Sequence, residues 1–206
     1  MITNFSTSSV KSGVKRKRFW DQNAVANSFF SIATVNVGAG GVSNVEFTNI
    51  PQDYTHLQVR GILQTNRPSY VVDVIKMQFN SDTATNYSSH RIKGGYDTTP
   101  STSSSGSFND SVIYLGDLNS NVSSNVFSGL VIDILDYKDT NKYKTARGLT
   151  GFDVNGTTGT GSYGGTVNFI SGNWRSTSAI SSIKFTIITG TAFNQYSSFA
   201  LYGVKA

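Results

Sequence analysis

Few side chains in this sequence could perform catalysis, and they are widely spaced. His56 and His90 are the only histidines and cysteine is absent, so a thiol nucleophile, a disulfide and a thiolate metal site are excluded. A serine nucleophile of the Gly-x-Ser-x-Gly type sits on a sharp strand-to-helix turn, whereas Ser105 and Ser107 lie in a serine-rich stretch. His56 alternates with apolar residues such as Leu57, which indicates an exposed histidine on a half-buried strand. The sequence therefore predicts a protein that is not an enzyme.

The best candidate for a metal site is a group of three aspartates, Asp133, Asp136 and Asp139. On the predicted hairpin the first two point to opposite faces and the third lies in the turn, so their carboxylates do not converge on one ion. We expect them to be solvated or salt-bridged. Their candidate partners are the basic side chains that follow, Lys142, Lys144 and Arg147. The glycine-rich residues 156–165 lack the Lys-Ser/Thr of a phosphate-binding loop, so the sequence predicts neither a metal nor a cofactor.

The pattern of apolar residues indicates the elements that position these side chains. From residue 28 onward, short alternating runs are separated by clusters of Gly, Asn, Ser and Asp, which predicts about ten or eleven strands. Ser, Thr, Asn and Gly account for 89 of the 206 residues and Glu46 is the only glutamate, whereas long helices carry many Glu and Lys. We therefore expect an all-β fold, a jelly-roll-like antiparallel β-sandwich, over residues 28–206.

Three local features of this sandwich follow from the pattern. The glycine-rich residues 38–41 predict a hairpin between strands at 29–37 and 42–47. Residues 93–109 are rich in Ser, Thr and Gly and bury little apolar surface, which predicts a long surface loop. Residues 126–135 are apolar on both faces, which predicts the most buried strand, and the returning strand sets Asp133 opposite Ala146 or Arg147.

The net positive charge of the chain is confined to its first 18 residues. The net charge is +5, and residues 1–18 carry five basic side chains and no acid, while the rest of the chain holds 12 basic and 12 acidic residues. Residues 1–27 are therefore predicted to be a basic arm and linker that precede the sandwich domain. The residues expected to dock this arm on a partner are Lys11, Lys15, Arg16, Lys17, Arg18, Phe19 and Trp20.

Three roles are open for this arm. Its apolar residues, Val10, Val14, Phe19 and Trp20, lie before, between and after its charges, which favours ordering in a groove of an acidic protein. Five charges would give only a weak, salt-sensitive contact with nucleic-acid phosphates, so nucleic acid is a less favoured partner. The third role is a disordered solubilising tail.

The composition of the chain bears on two further kinds of partner, membranes and sugars. No apolar run approaches the ~20 residues that span a bilayer, and residues 1–13 have no apolar segment of a secretory signal, so neither membrane insertion nor secretion is expected. The ten Tyr and two Trp on a surface of low charge could stack on sugar rings. A carbohydrate-binding module is therefore a weaker alternative.

Several strings together resemble a domain found in structural proteins of tailed bacteriophages, especially those of marine and cyanobacterial hosts. The resemblance covers nearly the whole chain. The strings lie at residues 5–9, 17–21, 31–41, 45–61, 77–82, 86–87, 132–137, 140–145, 171–175 and 198–203.

The resemblance implies a non-enzymatic component of the virion, assembled in the host cytoplasm, with no catalytic residue carried over. The sequence has no repetitive shaft, so we expect a capsid decoration, a tail appendage or fibre, or an adaptor, rather than a long fibre. Its expected partners are other virion proteins of the capsid or tail, further copies of itself and, as a further candidate, a host-surface glycan. The alternative is a jelly-roll coat protein whose basic arm contacts packaged nucleic acid.

Overall fold

The computed structural model describes residues 28–96, 100–120, 124–154 and 164–205. The predicted arm at residues 1–27, with all seven of its docking residues, lies outside the described residues, as does most of the glycine-rich stretch at 156–165.

The described residues form twelve strands and no helix. The strands are β1 (Phe29–Asn36), β2 (Val45–Phe47), β3 (His56–Leu63), β4 (Val72–Phe79), β5 (Tyr87–Tyr96), β6 (Pro100–Asp110), β7 (Ile113–Asn119), β8 (Ser128–Leu135), β9 (Lys144–Asp153), β10 (Gly165–Trp174), β11 (Ile183–Ile187) and β12 (Ser198–Val204). Among these residues there is accordingly no apolar helix of membrane-spanning length.

Two antiparallel sheets make up the fold, and the prediction of an all-β antiparallel sandwich is confirmed. The large sheet has the order β1-β12-β3-β8-β9-β10-β5-β6, and the small sheet has the order β2-β11-β4-β7. Leu57 and Val59 on β3 and Met77 and Phe79 on β4 are fully buried, while the residues between them are more exposed. This period of two arises because successive side chains of a strand point to opposite faces, so each sheet contributes one face to a shared core.

The hairpin predicted around residues 38–41 is wrong, although the turn itself is present. Gly40 and Gly41 have φ values of +91° and +72°, a backbone conformation that favours glycine. The turn carries the chain from one sheet to the other, because β1 pairs with β12 and β2 pairs with β11. The partners of the two strands are therefore distant in sequence.

The long surface loop predicted at residues 93–109 is also wrong. β5 pairs with β10 along its whole length and β6 pairs with β5, so residues 93–96 end β5 and residues 100–109 belong to β6, the last two strands of the large sheet. The prediction assumed that order requires buried apolar side chains, whereas ladder hydrogen bonds come from the main chain of Ser, Thr and Gly as well. Buried Asp117 of β7 adds ion pairs to Arg91 and Lys93 of β5, at 2.9 and 2.5 Å.

Candidate interaction face on the large sheet

The outward side of the large sheet carries an unusual number of exposed apolar side chains. They are Ile62, Ile92, Val131, Leu149, Val167 and Phe169, and each is between 39% and 64% exposed. The prediction that residues 126–135 are buried on both faces is therefore wrong for the outward face. Leu130, Ile132 and Ile134 of β8 point into the core, but Val131 between them faces outward because no second layer covers this side of the described structure.

The strand register aligns these side chains in rows across the sheet. One row crosses six strands from β12 to β5 and consists of Ala200, Arg60, Val131, Leu149, Phe169 and Ile92. The next row, two residues along each strand, consists of Ser198, Ile62, Gly129, Gly151, Val167 and Gly94. Side chains in register on neighbouring strands contact one another, so the rows form a continuous apolar surface. We call these residues, with the polar row described next, the outer face.

A polar row borders this surface. It consists of Tyr202, Gln58, Asp133, Arg147, Ser171 and His90. Asp133 lies opposite Arg147, one of the two partners that the sequence predicted, but its Oδ1 accepts a hydrogen bond from Gln58 Nε2 at 2.7 Å instead. Within the described residues, the Arg147 guanidinium has no carboxylate within salt-bridge distance.

The outer face is an open groove rather than an enclosed pocket. A space of about 550 Å³ lies over its centre. Its lining includes Arg60, Ile62, Val131, Leu149, Val167 and Ala200. Contiguous exposed apolar surface on a protein marks a site of contact with a partner, so the outer face is the strongest candidate functional site in the described structure.

The two histidines do not share a site. His56 Nδ1 accepts a hydrogen bond from the Asp136 backbone N–H at 2.9 Å and is half-buried, so its predicted exposure is only partly correct. His90 packs edge-on against Phe108 of β6, with ring centroids 5.1 Å apart. Because β3 and β5 are four strands apart in the sheet, the strands that carry the two histidines are separated by about 19 Å.

Two of the three candidate metal-binding aspartates share a lysine, while the third, Asp133, binds Gln58 in the polar row. Asp136 and Asp139 both contact Lys142 Nζ, at 2.7 and 3.4 Å, which confirms the predicted ion pairing with that lysine. Lys144 is not an aspartate partner, because its ammonium is fully buried and donates to backbone carbonyls. In the part of the chain that the structure describes, no three His, Cys, Asp or Glu side chains come together as a metal site would require.

The buried Asp73 and the serine Ser107 also form hydrogen bonds within the fold. Asp73 accepts hydrogen bonds from the backbone N–H groups of Thr189 and Gly190 and thereby holds the turn after β11. Ser107 Oγ donates to Asp110 Oδ2 at 2.7 Å. Both side chains therefore have a hydrogen-bond partner within the fold, which the sequence did not predict.

One exposed aromatic ring lies among amides at an end of the sandwich. Tyr196 is 75% exposed and has a φ of +70°, a strained conformation for a tyrosine. It shares a groove with Gln64, Asn125 and Asn194. A flat ring beside amide donors and acceptors is an arrangement that can stack on a sugar and hydrogen-bond its hydroxyls.

Sequence reasoning missed the outer face because it assigned apolar residues to the core. A signal was present: Leu149 and Phe169 occupy the same strand phase as Arg147 and Ser171, which places apolar and polar side chains together on one face. No protein-family model, curated protein or solved structure matches this chain.

Proposed function

We propose that this protein is a non-enzymatic structural component of a bacteriophage particle, a β-sandwich module that attaches to other virion proteins through its basic arm. The observation that carries a structural role is the outer face, because so broad an exposed apolar surface fits a protein built to assemble. The resemblance of the sequence to phage structural proteins supports a phage particle as the assembly in question.

The connectivity supports the finer assignment of the sandwich to the jelly-roll class. When β5–β6 and β9–β10 are set aside, the remaining strands have the orders β1-β12-β3-β8 and β2-β11-β4-β7. Along the chain these eight strands alternate between the sheets, except that β4 and β7 both lie in the small one. This order matches that of the double Greek key of jelly rolls, a fold used by viral capsid proteins and by lectins, and the match supports the assignment. The two additional pairs widen the large sheet from four strands to eight.

The basic arm is the proposed attachment point. Its four consecutive charges at residues 15–18 would be drawn to an acidic surface, and the adjacent Phe19 and Trp20 would supply the apolar anchors. The body contributes no net charge of its own to this contact, since residues 19–206 hold equal numbers of basic and acidic side chains.

Deletion of residues 1–20 tests the attachment. We expect the truncated protein to keep the circular dichroism and melting temperature of the full chain but to be missing from particles purified after it replaces the wild-type protein. Deletion of residues 1–10 is the matched control, because it removes none of the seven docking residues and should leave incorporation unchanged. Truncated protein at wild-type copy number in the particles would refute the proposal.

A coat protein whose arm contacts the packaged genome is the second candidate, favoured by the jelly-roll strand order together with the basic arm. A gel-shift titration at physiological salt separates the two functions. Tight nucleic-acid binding that is lost on deletion of residues 11–18 would support the coat protein.

A carbohydrate-binding function is the weaker alternative, and the groove beside Tyr196 is the place in the described structure that would serve it. The same groove is a candidate contact with a host-surface glycan if the protein acts in attachment.

A further inference from the structure

We propose that the outer face binds the outer face of a second copy of this chain, about a two-fold axis that runs parallel to the strands between β8 and β9. This inference rests on the large sheet alone and does not depend on the basic arm or on the kind of particle.

The position of the axis follows from the sheet. β8 and β9 are its central strands, with four strands on each side of their boundary. A two-fold rotation about this line places β8 on β9 of the second copy, β3 on β10, and β12 on β5. Such a contact is isologous, so each residue pair occurs twice and one surface must match itself.

The apolar row matches itself under this rotation. Val131 of one copy comes opposite Leu149 of the second copy, so the two central residues form an apolar contact. Arg60 comes opposite Phe169 of the second copy. The Arg60 guanidinium lies over the Phe29 and Tyr202 rings of its own chain and its Nε donates to Gln58, so the aliphatic stem of Arg60 is the part that would pack on Phe169. At the ends of the row, Ala200 comes opposite Ile92 of the second copy.

The next row has the shape that a close contact requires. Gly129 comes opposite Gly151 of the second copy, both without side chains, and on either side Ile62 comes opposite Val167. Small residues at the axis flanked by large apolar ones allow the sheets to approach and interlock. In sheets that pack face to face, the strands of the two sheets align to within about 30°. A two-fold axis parallel to β8 and β9 meets this condition, because it keeps the central strands of the two copies parallel.

The polar row supplies charge complementarity. Asp133 of one copy comes opposite Arg147 of the second copy, and the symmetry repeats this pair. Arg147 has no ion pair within the described residues, so its guanidinium is available for the contact. The outer face as a whole would repel the basic arm, because its rows carry Arg60 and Arg147 and a single acid, Asp133, which argues for a second copy over the chain's own arm as its occupant.

The size of the surface is sufficient. Six strands spaced about 4.8 Å apart and three rows about 7 Å apart cover about 600 Å² on each copy. The two copies together would bury about 1,200 Å², which exceeds the roughly 1,000 Å² expected of a specific interface.

The full-length protein is tested first by sedimentation equilibrium. We expect a mass of twice 22.2 kDa at about 50 µM protein, a concentration at which even a micromolar interface of this size is largely formed. Leu149→Asp should weaken the dimer at least about tenfold, because it places two carboxylates in the apolar centre. Ile188→Asp is the matched control, since Ile188 is as exposed as Leu149 but lies outside the outer face.

Charge reversal tests the pairing itself. Asp133→Arg and Arg147→Asp should each abolish the homodimer at the same concentration, because each sets like charges against one another at both symmetry-related positions. Mixing the two variants should restore a dimer, because every pair across the axis is then opposite in charge. Asp53→Arg is the control for charge reversal, because Asp53 lies in the loop before β3, and this variant should leave the dimer intact. Circular dichroism confirms that each variant is folded.

Two results would overturn the proposal: a full-length protein that sediments as a monomer, or variants that fail to associate when mixed although the wild type dimerises. The outcome is separate from that of the arm experiment. Dimerisation should survive deletion of residues 1–20, so loss of particle attachment without loss of the dimer would support both proposals, and a dimer that needs the arm would contradict this one.

Discussion

Lys144 shows at the residue scale how a charged group can be fully buried without a carboxylate partner. Its ammonium donates hydrogen bonds to the backbone carbonyls of Asp139, Lys142 and Thr177. Burial lowers the pKa of Lys144, and the nearby Asp139 and Asp136 oppose that shift. The three bonds close the turn between β8 and β9 on itself and join it to the segment after β10, so this lysine has the role of a structural crosslink.

Replacement of Lys144 by Met should therefore lower the free energy of unfolding by about 3 kcal/mol, because the apolar side chain leaves three carbonyls without their donor. Urea denaturation followed by circular dichroism measures the loss. The exposed Lys142 in the same turn provides the control, and Lys142→Met should have a much smaller effect. Equal losses in the two variants would contradict this role of Lys144.

Tyr87 anchors a buried aromatic cluster. Its ring stacks on Trp174 at a centroid distance of 6.1 Å, and its hydroxyl accepts a hydrogen bond from the Phe79 N–H. Trp174 Nε1 in turn donates to Asp82. Burial raises the pKa of Asp82, but hydrogen bonds from Asn86, Ala84 and Trp174 outweigh it and leave this pKa below its ordinary value.

The same cluster predicts a loss of stability in alkali. Burial, with a contribution from Asp82, raises the pKa of Tyr87 to about 12. Between pH 10 and 12 the unfolded chain loses this proton while the folded chain largely retains it, so the free energy of unfolding should fall by about 2 kcal/mol across that range.

Tyr87→Phe tests this linkage. The variant should be less stable than the wild type at pH 9, because it lacks the hydroxyl hydrogen bonds, and the difference should shrink or reverse by pH 12. Tyr143→Phe is the control for loss of a tyrosine hydroxyl, since Tyr143 is 57% exposed and lies outside this cluster. A constant difference between the wild type and Tyr87→Phe across this range would rule out a raised pKa.

At the scale of elements, a bulge in β7 lets this strand of the small sheet pack closely against β9 of the large sheet. Val74 and Lys76 of β4 pair with Asp117 and Tyr114 of β7, so two residues of β7 lie opposite one of β4. Gly116 in this bulge has a φ of +96°, and an added Cβ would lie 2.6 Å from Thr150 Oγ1 of β9. The bulge is followed by Asp117, whose carboxylate reaches Arg91 and Lys93 of β5.

Gly116→Ala should accordingly destabilise the protein by about 2–4 kcal/mol, because it combines backbone strain with a steric clash against β9. Gly38→Ala is the matched control, since an added Cβ there meets nothing within 4 Å, and its effect should stay within about 0.5 kcal/mol. Thermal melts of both variants measure the difference, and similar melting temperatures would show that the bulge tolerates a side chain.

At the scale of the whole molecule, the two sheets differ in width, and this difference creates the outer face. The strands β9, β10, β5 and β6 extend the large sheet beyond β8, and the first three of them contribute half of the residues in each row. The proposed dimer and the proposed arm attachment therefore use separate parts of the chain. A particle component with both would present paired copies, which strengthens individually weak contacts with a multivalent surface.

The sequence by itself determined the fold class and the separation of charge. Alternation along each strand is a local property of a few residues, and it predicted runs such as Leu57 to Val59 and the strand that contains Asp133 in register with Arg147. The tertiary structure alone decided how strands distant in sequence pair and which apolar side chains stay uncovered. The serine-rich β6 pairs through main-chain groups that leave no side-chain signal. Val131 and Ile132 are neighbours of similar chemistry, and only the layer opposite each side chain separates the exposed residue from the buried one.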